Sequence, residues 1–168
     1  MSTLRTFILT CITALTFLVL PISAKDSRQG FDGKWVLDKH SPKAPQVPDD
    51  LRQEIRQKGT EVIIQSQFKE PANGIAPLVM LGIMTSSLRL TTDGQEVQNQ
   101  IGPFAQTSKT TLDGNKMETE WSAVVNGDPV QGHWTRTLSD DGKRMTLIVK
   151  ESSTKGQAGD ATLQFVRK

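Results

Sequence analysis

Apolar and polar residues take turns along most of this chain. Val62, Ile64, Ser66 and Phe68 fall on one side, with Glu61, Gln65 and Gln67 on the other. Met117, Thr119, Trp121, Ala123 and Val125 share a face against Glu118, Glu120 and Ser122. Val130, Gly132, Trp134, Arg136 and Leu138 do so against Gln131, His133, Thr135 and Thr137. Met145, Leu147 and Val149 repeat the pattern, as do Leu163 and Phe165. A period of two is that of a β-strand with one dry face. Between these runs lie Asp93-Gly94, Gly102-Pro103, Asp113-Gly114-Asn115, Asn126-Gly127-Asp128, Asp141-Gly142 and Lys155-Gly156. Asn and Gly tolerate the positive φ of tight hairpin turns. Spacers this short allow only antiparallel neighbours, because a parallel return needs a longer crossover.

Two stretches depart from the pattern. Asp49 to Lys58 starts with acids, ends with a base and is followed by Gly59, with Leu51 and Ile55 four apart. Those are helix signals, and they predict a short helix after the Pro-rich loop 41–48. Pro71–Ser87 carries Leu78, Val79, Met80, Leu81, Ile83 and Met84 close together. A helical turn from Pro77, a buried strand and a lid all fit it, and periodicity does not separate them. The count from Trp35 onward is eight or nine strands. Such a set closes into a small antiparallel up-and-down barrel, the expected fold; a two-sheet β-sandwich is the alternative.

The first residues read as an export signal. Arg5 precedes an uncharged apolar run, Phe7 to Leu20, which Pro21 breaks before Ile22-Ser23-Ala24. That order predicts a signal peptide over 1–24 with cleavage after Ala24, and Ile22, bulky for its place, keeps an uncleaved anchor as the alternative. The run is shorter than the ~20 residues of a membrane span. Cleavage leaves residues 25–168 as one domain, exported to the periplasm or medium. It also removes Cys11, the only cysteine, so no disulfide is expected. Of the 20 basic residues Arg5 alone lies in the leader, which leaves 19 against 18 acidic ones. A balance so near zero, without a basic run, argues against nucleic acid as a partner.

Gly33-Lys34-Trp35, soon after Phe31-Asp32, resembles the Gly-x-Trp signature that opens lipocalins. The stretch from Gly33 to Lys168 is also similar to small secreted lipocalin-like proteins of bacteria. The similarity rests on Gly33 to Ser41 and on the hairpin segment Asp141 to Lys150. The resemblance implies a barrel that binds a small hydrophobic molecule, usually without catalysis. It also implies that Trp35 closes the barrel base, with Gly33 beside it, and that Arg167 packs over the tryptophan. The disulfides of animal lipocalins are missing.

Arg136 shares the inner face with Trp134. It is a candidate to pair with the carboxylate of a fatty-acid-like ligand, bidentate geometry being what arginine offers. It could instead reach water from the strand end, its stem covering Trp134. Trp121 and Trp134, in adjacent strands, either line an apolar pocket or simply fill the core. Met80 and Met84 either form an adaptable mouth or plug the barrel. His40 and His133 lack neighbours at metal-ligand spacing, so no metal and no cofactor is expected. Glu118 and Glu120 read as solvated surface. No nucleophile elbow, HExxH or P-loop appears, and no enzyme activity is expected. The leading expectation is binding of a lipid or fatty-acid-like molecule in the barrel interior. A ligandless envelope module, its barrel filled by side chains, is the alternative. Oligomeric state is left open.

Overall fold

The computed structural model describes residues 30–40, 47–69, 87–101, 103–155 and 158–168. They form ten antiparallel strands: β1 (Gly33–Leu37), β2 (Arg52–Lys58), β3 (Glu61–Gln67), β4 (Ser87–Thr91), β5 (Asp93–Ile101), β6 (Phe104–Asp113), β7 (Lys116–Val125), β8 (Asp128–Leu138), β9 (Arg144–Ser153) and β10 (Ala158–Arg167). No helix occurs among the described residues.

The strand order is β4-β3-β2-β1-β10-β9-β8-β7-β6-β5 in one sheet. Every strand lies beside a neighbour in sequence, and the one long-range pairing is β1 with β10, where Trp35 faces Arg167 and Leu37 faces Phe165. The sheet curls until β4 and β5 lie side by side, which gives a nearly closed up-and-down barrel rather than a sandwich.

The seam between β4 and β5 is stitched by a side chain. Asn99 donates from Nδ2 to the Arg89 carbonyl at 2.8 Å and accepts at Oδ1 from the Arg89 N–H at 2.8 Å. Its amide thus takes the place of a partner residue's backbone. Such pairing blunts an otherwise open edge.

The predicted helix over 49–58 is instead the strand β2, and this raises the count from eight or nine strands to ten. Leu51 and Ile55 are buried, as four-residue spacing allows in either structure, but Gln53 between them is buried too. Its Nε2 donates to Ser66 Oγ at 3.2 Å, so a polar residue occupies an inward place and hides the period of two. Gly59 is not a helix stop. At φ +60° it turns the chain between Lys58 and Glu61, which face each other across the β2–β3 hairpin. Ladders to β1 and β3 on both sides outweigh a modest local helix preference.

The turn signals fall at strand junctions. Asn126 (φ 52°) and Gly127 (φ 77°) make the left-handed pair that joins β7 to β8. The leader 1–24 and the segment 71–86 lie outside the described residues, while Ser87 opens β4.

The inner faces merge into one core. Trp35, Leu37, Ile55, Val62, Ile64, Leu88, Leu90, Met117, Trp121, Trp134, Met145, Leu147, Val149, Leu163 and Phe165 are all buried within it. At one end Arg167 stacks its guanidinium 4.4 Å from the Trp35 ring centre. It also donates from Nε to the Gly142 carbonyl at 2.8 Å, from Nη2 to the Gly30 carbonyl at 2.7 Å, and from Nη1 to the Asp32 carbonyl. Trp35 Nε1 donates to the Phe31 carbonyl at 2.9 Å. Gly33, at φ +132°, lets Arg167 pass: a Cβ there would lie 3.0 Å from Nη1.

Candidate functional site

Strand pairing sorts the inward residues of β6 to β10 into rows across the barrel wall. One row runs Leu112, Met117, Arg136, Leu147, Leu163. The next runs Thr110, Thr119, Trp134, Val149, Ala161. A third runs Ser108, Trp121, Gly132, Glu151. The alternation along β8 therefore sets Arg136, Trp134 and Gly132 at successive levels, with Arg136 nearest the row of Leu138, Met145 and Phe165 that adjoins Trp35.

Arg136 is 1% exposed. Its Nε and Nη1 make no hydrogen bond, and Glu151, the buried carboxylate on neighbouring β9, bonds to Trp134 instead. The guanidinium carbon lies 5.9 Å from the Trp134 ring centre, a weak cation–π contact. Burial pulls its pKa down to about 10, so it remains cationic at neutral pH. A buried charge without a partner is costly, and here the anion that would answer it is not supplied by the neighbouring strands.

Trp121 and Trp134 pack against each other, ring centres 5.4 Å apart and planes tilted by 43°. Trp134 Nε1 donates to Glu151 Oε1 at 3.2 Å. Burial pushes the Glu151 carboxyl up to about 8, against the opposing pull of that hydrogen bond. Glu151 is consequently mostly protonated at neutral pH. Trp121 leans across Gly132 so closely that a Cβ there would overlap its indole nitrogen. On the same wall Gln106 is fully buried with both amide atoms unpartnered, and Glu151 Oε2 and Trp121 Nε1 are unpartnered as well. Thr110 and Thr119, by contrast, satisfy each other at 2.9 Å.

The structure thus brings Trp121, Trp134 and Arg136 together on the inner wall, and places Gly33, Trp35 and Arg167 at the barrel end. Met80 and Met84 lie outside the described residues. His133 is partly exposed and lies 3.8 Å from Glu118 Oε1, a surface contact that also involves Lys116 at 2.8 Å. His40 is exposed. Sequence reasoning missed Glu151 and Gln106. The signal for Glu151 was present: Met145, Leu147, Val149 and Glu151 are in phase, and the alternation carries the carboxyl inward. Gln106, Ser108, Thr110 and Leu112 are likewise in phase, but three polar residues in a row disguise an inner face.

Two open concavities, of about 690 and 560 Å³, lie on the outer face of the sheet. The larger is lined by Lys109, Glu120, His133 and Lys150 and reaches Gly132, so its charges are mixed. The smaller holds Ala105, Val124 and Pro129.

A nearly closed ten-stranded antiparallel meander with Trp35 and Arg167 stacked at one end is a lipocalin-like, calycin-type barrel. No family model matches the chain, and no curated protein matches its sequence. Among solved structures it is similar to a secretory abundant heat soluble protein from Ramazzottius varieornatus, with a TM-score of 0.52, 13% identity, and coverage of 82% of this chain and 95% of that one. Secretory abundant heat soluble protein 4 of the same organism matches equally, at 0.52 and 13%, over 82% and 94%. The fluorescent protein UnaG follows at 0.48 and 14%, over 82% and 97%. At these identities the likeness concerns the fold alone. Among the described residues no helix is long and apolar enough to cross a membrane.

Proposed function

We propose that the barrel interior binds a small hydrophobic molecule with an anionic head, of which a fatty-acid carboxylate is the simplest form. The protein acts by binding rather than catalysis, in an extracytoplasmic compartment to which residues 1–24 direct it. The observation that carries this reading is Arg136: a fully buried guanidinium with two unpartnered nitrogens and, among the described residues, no carboxylate answering it. Trp121 and Trp134 flank the path of the apolar tail.

A second reading is a ligandless interaction module whose barrel is filled by its own side chains. It is favoured by the near-complete burial of the inner residues and by the outer placement of both concavities.

Tryptophan fluorescence titration with dodecanoic acid and dodecan-1-ol separates the two. The binding reading expects a saturable response to the acid, with the alcohol at least tenfold weaker. It also expects Arg136→Met to bring the acid down to the level of the alcohol. No saturable response to either probe decides for the filled barrel. Equal affinities in the unaltered protein would end the role of Arg136.

A further inference from the structure

Four inward side chains besides Arg136 are left with unmet hydrogen-bonding capacity; Gln53, at its Oε1, stands on β2, and the other three cluster. Trp121 Nε1 hangs over Gly132, and Glu151 is the residue paired with Gly132 on the other side. Gln106 is the diagonal cross-strand neighbour of Trp121, since Ser108, two places on, is its direct partner. All three side chains are more than nine-tenths buried. Their unpartnered atoms are Trp121 Nε1, Gln106 Nε2 and Oε1, and Glu151 Oε2.

The mixture identifies the missing group. Trp121 Nε1 and Gln106 Nε2 can only donate, and Gln106 Oε1 can only accept. A carboxylate would answer the donors and leave the Gln106 oxygen stranded. An ammonium would do the reverse. A hydroxyl donates and accepts at once, and is the smallest group that serves both kinds of orphan. A neutral hydroxyl also suits a carboxyl that burial keeps largely protonated.

Gly132 and Arg136 are four residues apart on β8, a span of about 13 Å at strand rise. Trp134 occupies the level between them, its indole nitrogen turned to Glu151 and its ring beside the Arg136 guanidinium. The two polar stations are therefore joined by an aromatic wall.

We infer that the ligand is bipolar: an anionic head at Arg136, and a hydroxyl about 13 Å along an apolar chain that lodges among Gln106, Trp121 and Glu151. Hydroxylated long-chain carboxylic acids are the class that carries both groups. This rests on the anionic-ligand reading, because the head fixes which end of the chain reaches the cluster.

The test is calorimetric titration of the protein with dodecanoic acid and with ω-hydroxydodecanoic acid. Buried polar groups are poorly served by a ligand that lacks their partner. One to two hydrogen bonds at their usual net value make the hydroxy acid about tenfold tighter. Trp121→Phe keeps the ring and removes the N–H, and Gln106→Leu removes both amide atoms. Each should erase most of the hydroxyl advantage, and Gln106→Leu should leave the affinity for dodecanoic acid within about threefold.

If the two acids bind the unaltered protein equally, the hydroxyl station is overturned and the anionic-ligand reading stands. If the advantage survives both substitutions, the hydroxyl lodges elsewhere and the assignment to this cluster is wrong. Failure of both acids to bind removes the two proposals together.

Discussion

Replacing Arg136 with methionine should make the unliganded protein more stable, although it removes the group on which binding depends. Burial lowers the guanidinium pKa from its ordinary value to about 10. That is a fall of roughly 2.5 powers of ten, and at about 1.4 kcal/mol each the charge costs on the order of 3 kcal/mol to hold inside. Methionine follows a similar path past Trp134 without charge or unpartnered N–H groups. Against the gain stands the loss of the 5.9 Å contact with the Trp134 ring, worth about 0.5–2 kcal/mol. The net is a stabilisation of about 1–3 kcal/mol, in line with what replacing buried charges by apolar residues yields elsewhere. For a domain of this size it corresponds to a rise in Tm of about 3–10 °C. Far-UV circular dichroism melts of both proteins, with urea unfolding to check that the m-value is unchanged, measure it. The ligand arm runs the other way: at one fixed concentration dodecanoic acid should raise the Tm of the original protein more than that of Arg136→Met. A fall of several degrees in the unliganded variant would refute the reasoning, because it would mean that the fold already answers the charge.

Three other substitutions probe the remaining features. Asn99→Ala removes the two hydrogen bonds that Asn99 makes to Arg89 across the β4–β5 seam and should cost about 1–3 kcal/mol, with hydrogen exchange accelerating at Arg89 before the β7–β8 ladder; uniform exchange would argue against a locally held seam. Gly132→Ala drives a methyl into the Trp121 indole, so it should cost about 1–3 kcal/mol by overpacking and shift the tryptophan emission; an unaltered spectrum and Tm would contradict that packing. Glu151 ionises near 4.5 when unfolded and near 8 in the barrel, so the unfolded state releases its proton first as pH rises. Its contribution is fully present below pH 4.5, is lost between about 4.5 and 8, and levels off beyond, a decline of a few kcal/mol. Glu151→Gln should flatten that slope in urea unfolding from pH 5 to 8, and parallel slopes would show that the carboxyl is not desolvated.

Much of this architecture is legible in the sequence, because a strand with one dry face repeats every second residue and hairpin turns need Asn or Gly. The residues of β7, β8 and β9 could be assigned to inner and outer faces individually for that reason. Legibility fails where inner residues are polar. Gln53 broke the alternation of β2 and left Leu51 and Ile55 at a spacing that suits a helix equally well. Gln106, Ser108 and Thr110 gave β6 no apolar face to detect. Arg136 was visible as an inward position, but whether it met a partner depended on what β7 and β9 place beside it. The hydroxyl cluster was out of reach for the same reason: it draws on three strands and on the absence of a side chain at Gly132.

The pairing of β1 with β10 has a bearing on how the chain reaches its final form. Each of the other ladders joins strands adjacent in sequence and can form as a local hairpin. The first strand must wait for the last, since its far edge is met only by residues Phe165 to Arg167. The stack of Arg167 on Trp35 is then assembled at the same moment as this seal, and a chain whose β10 has not yet docked has a trough in its place. The interior is therefore enclosed only once β10 has paired with β1.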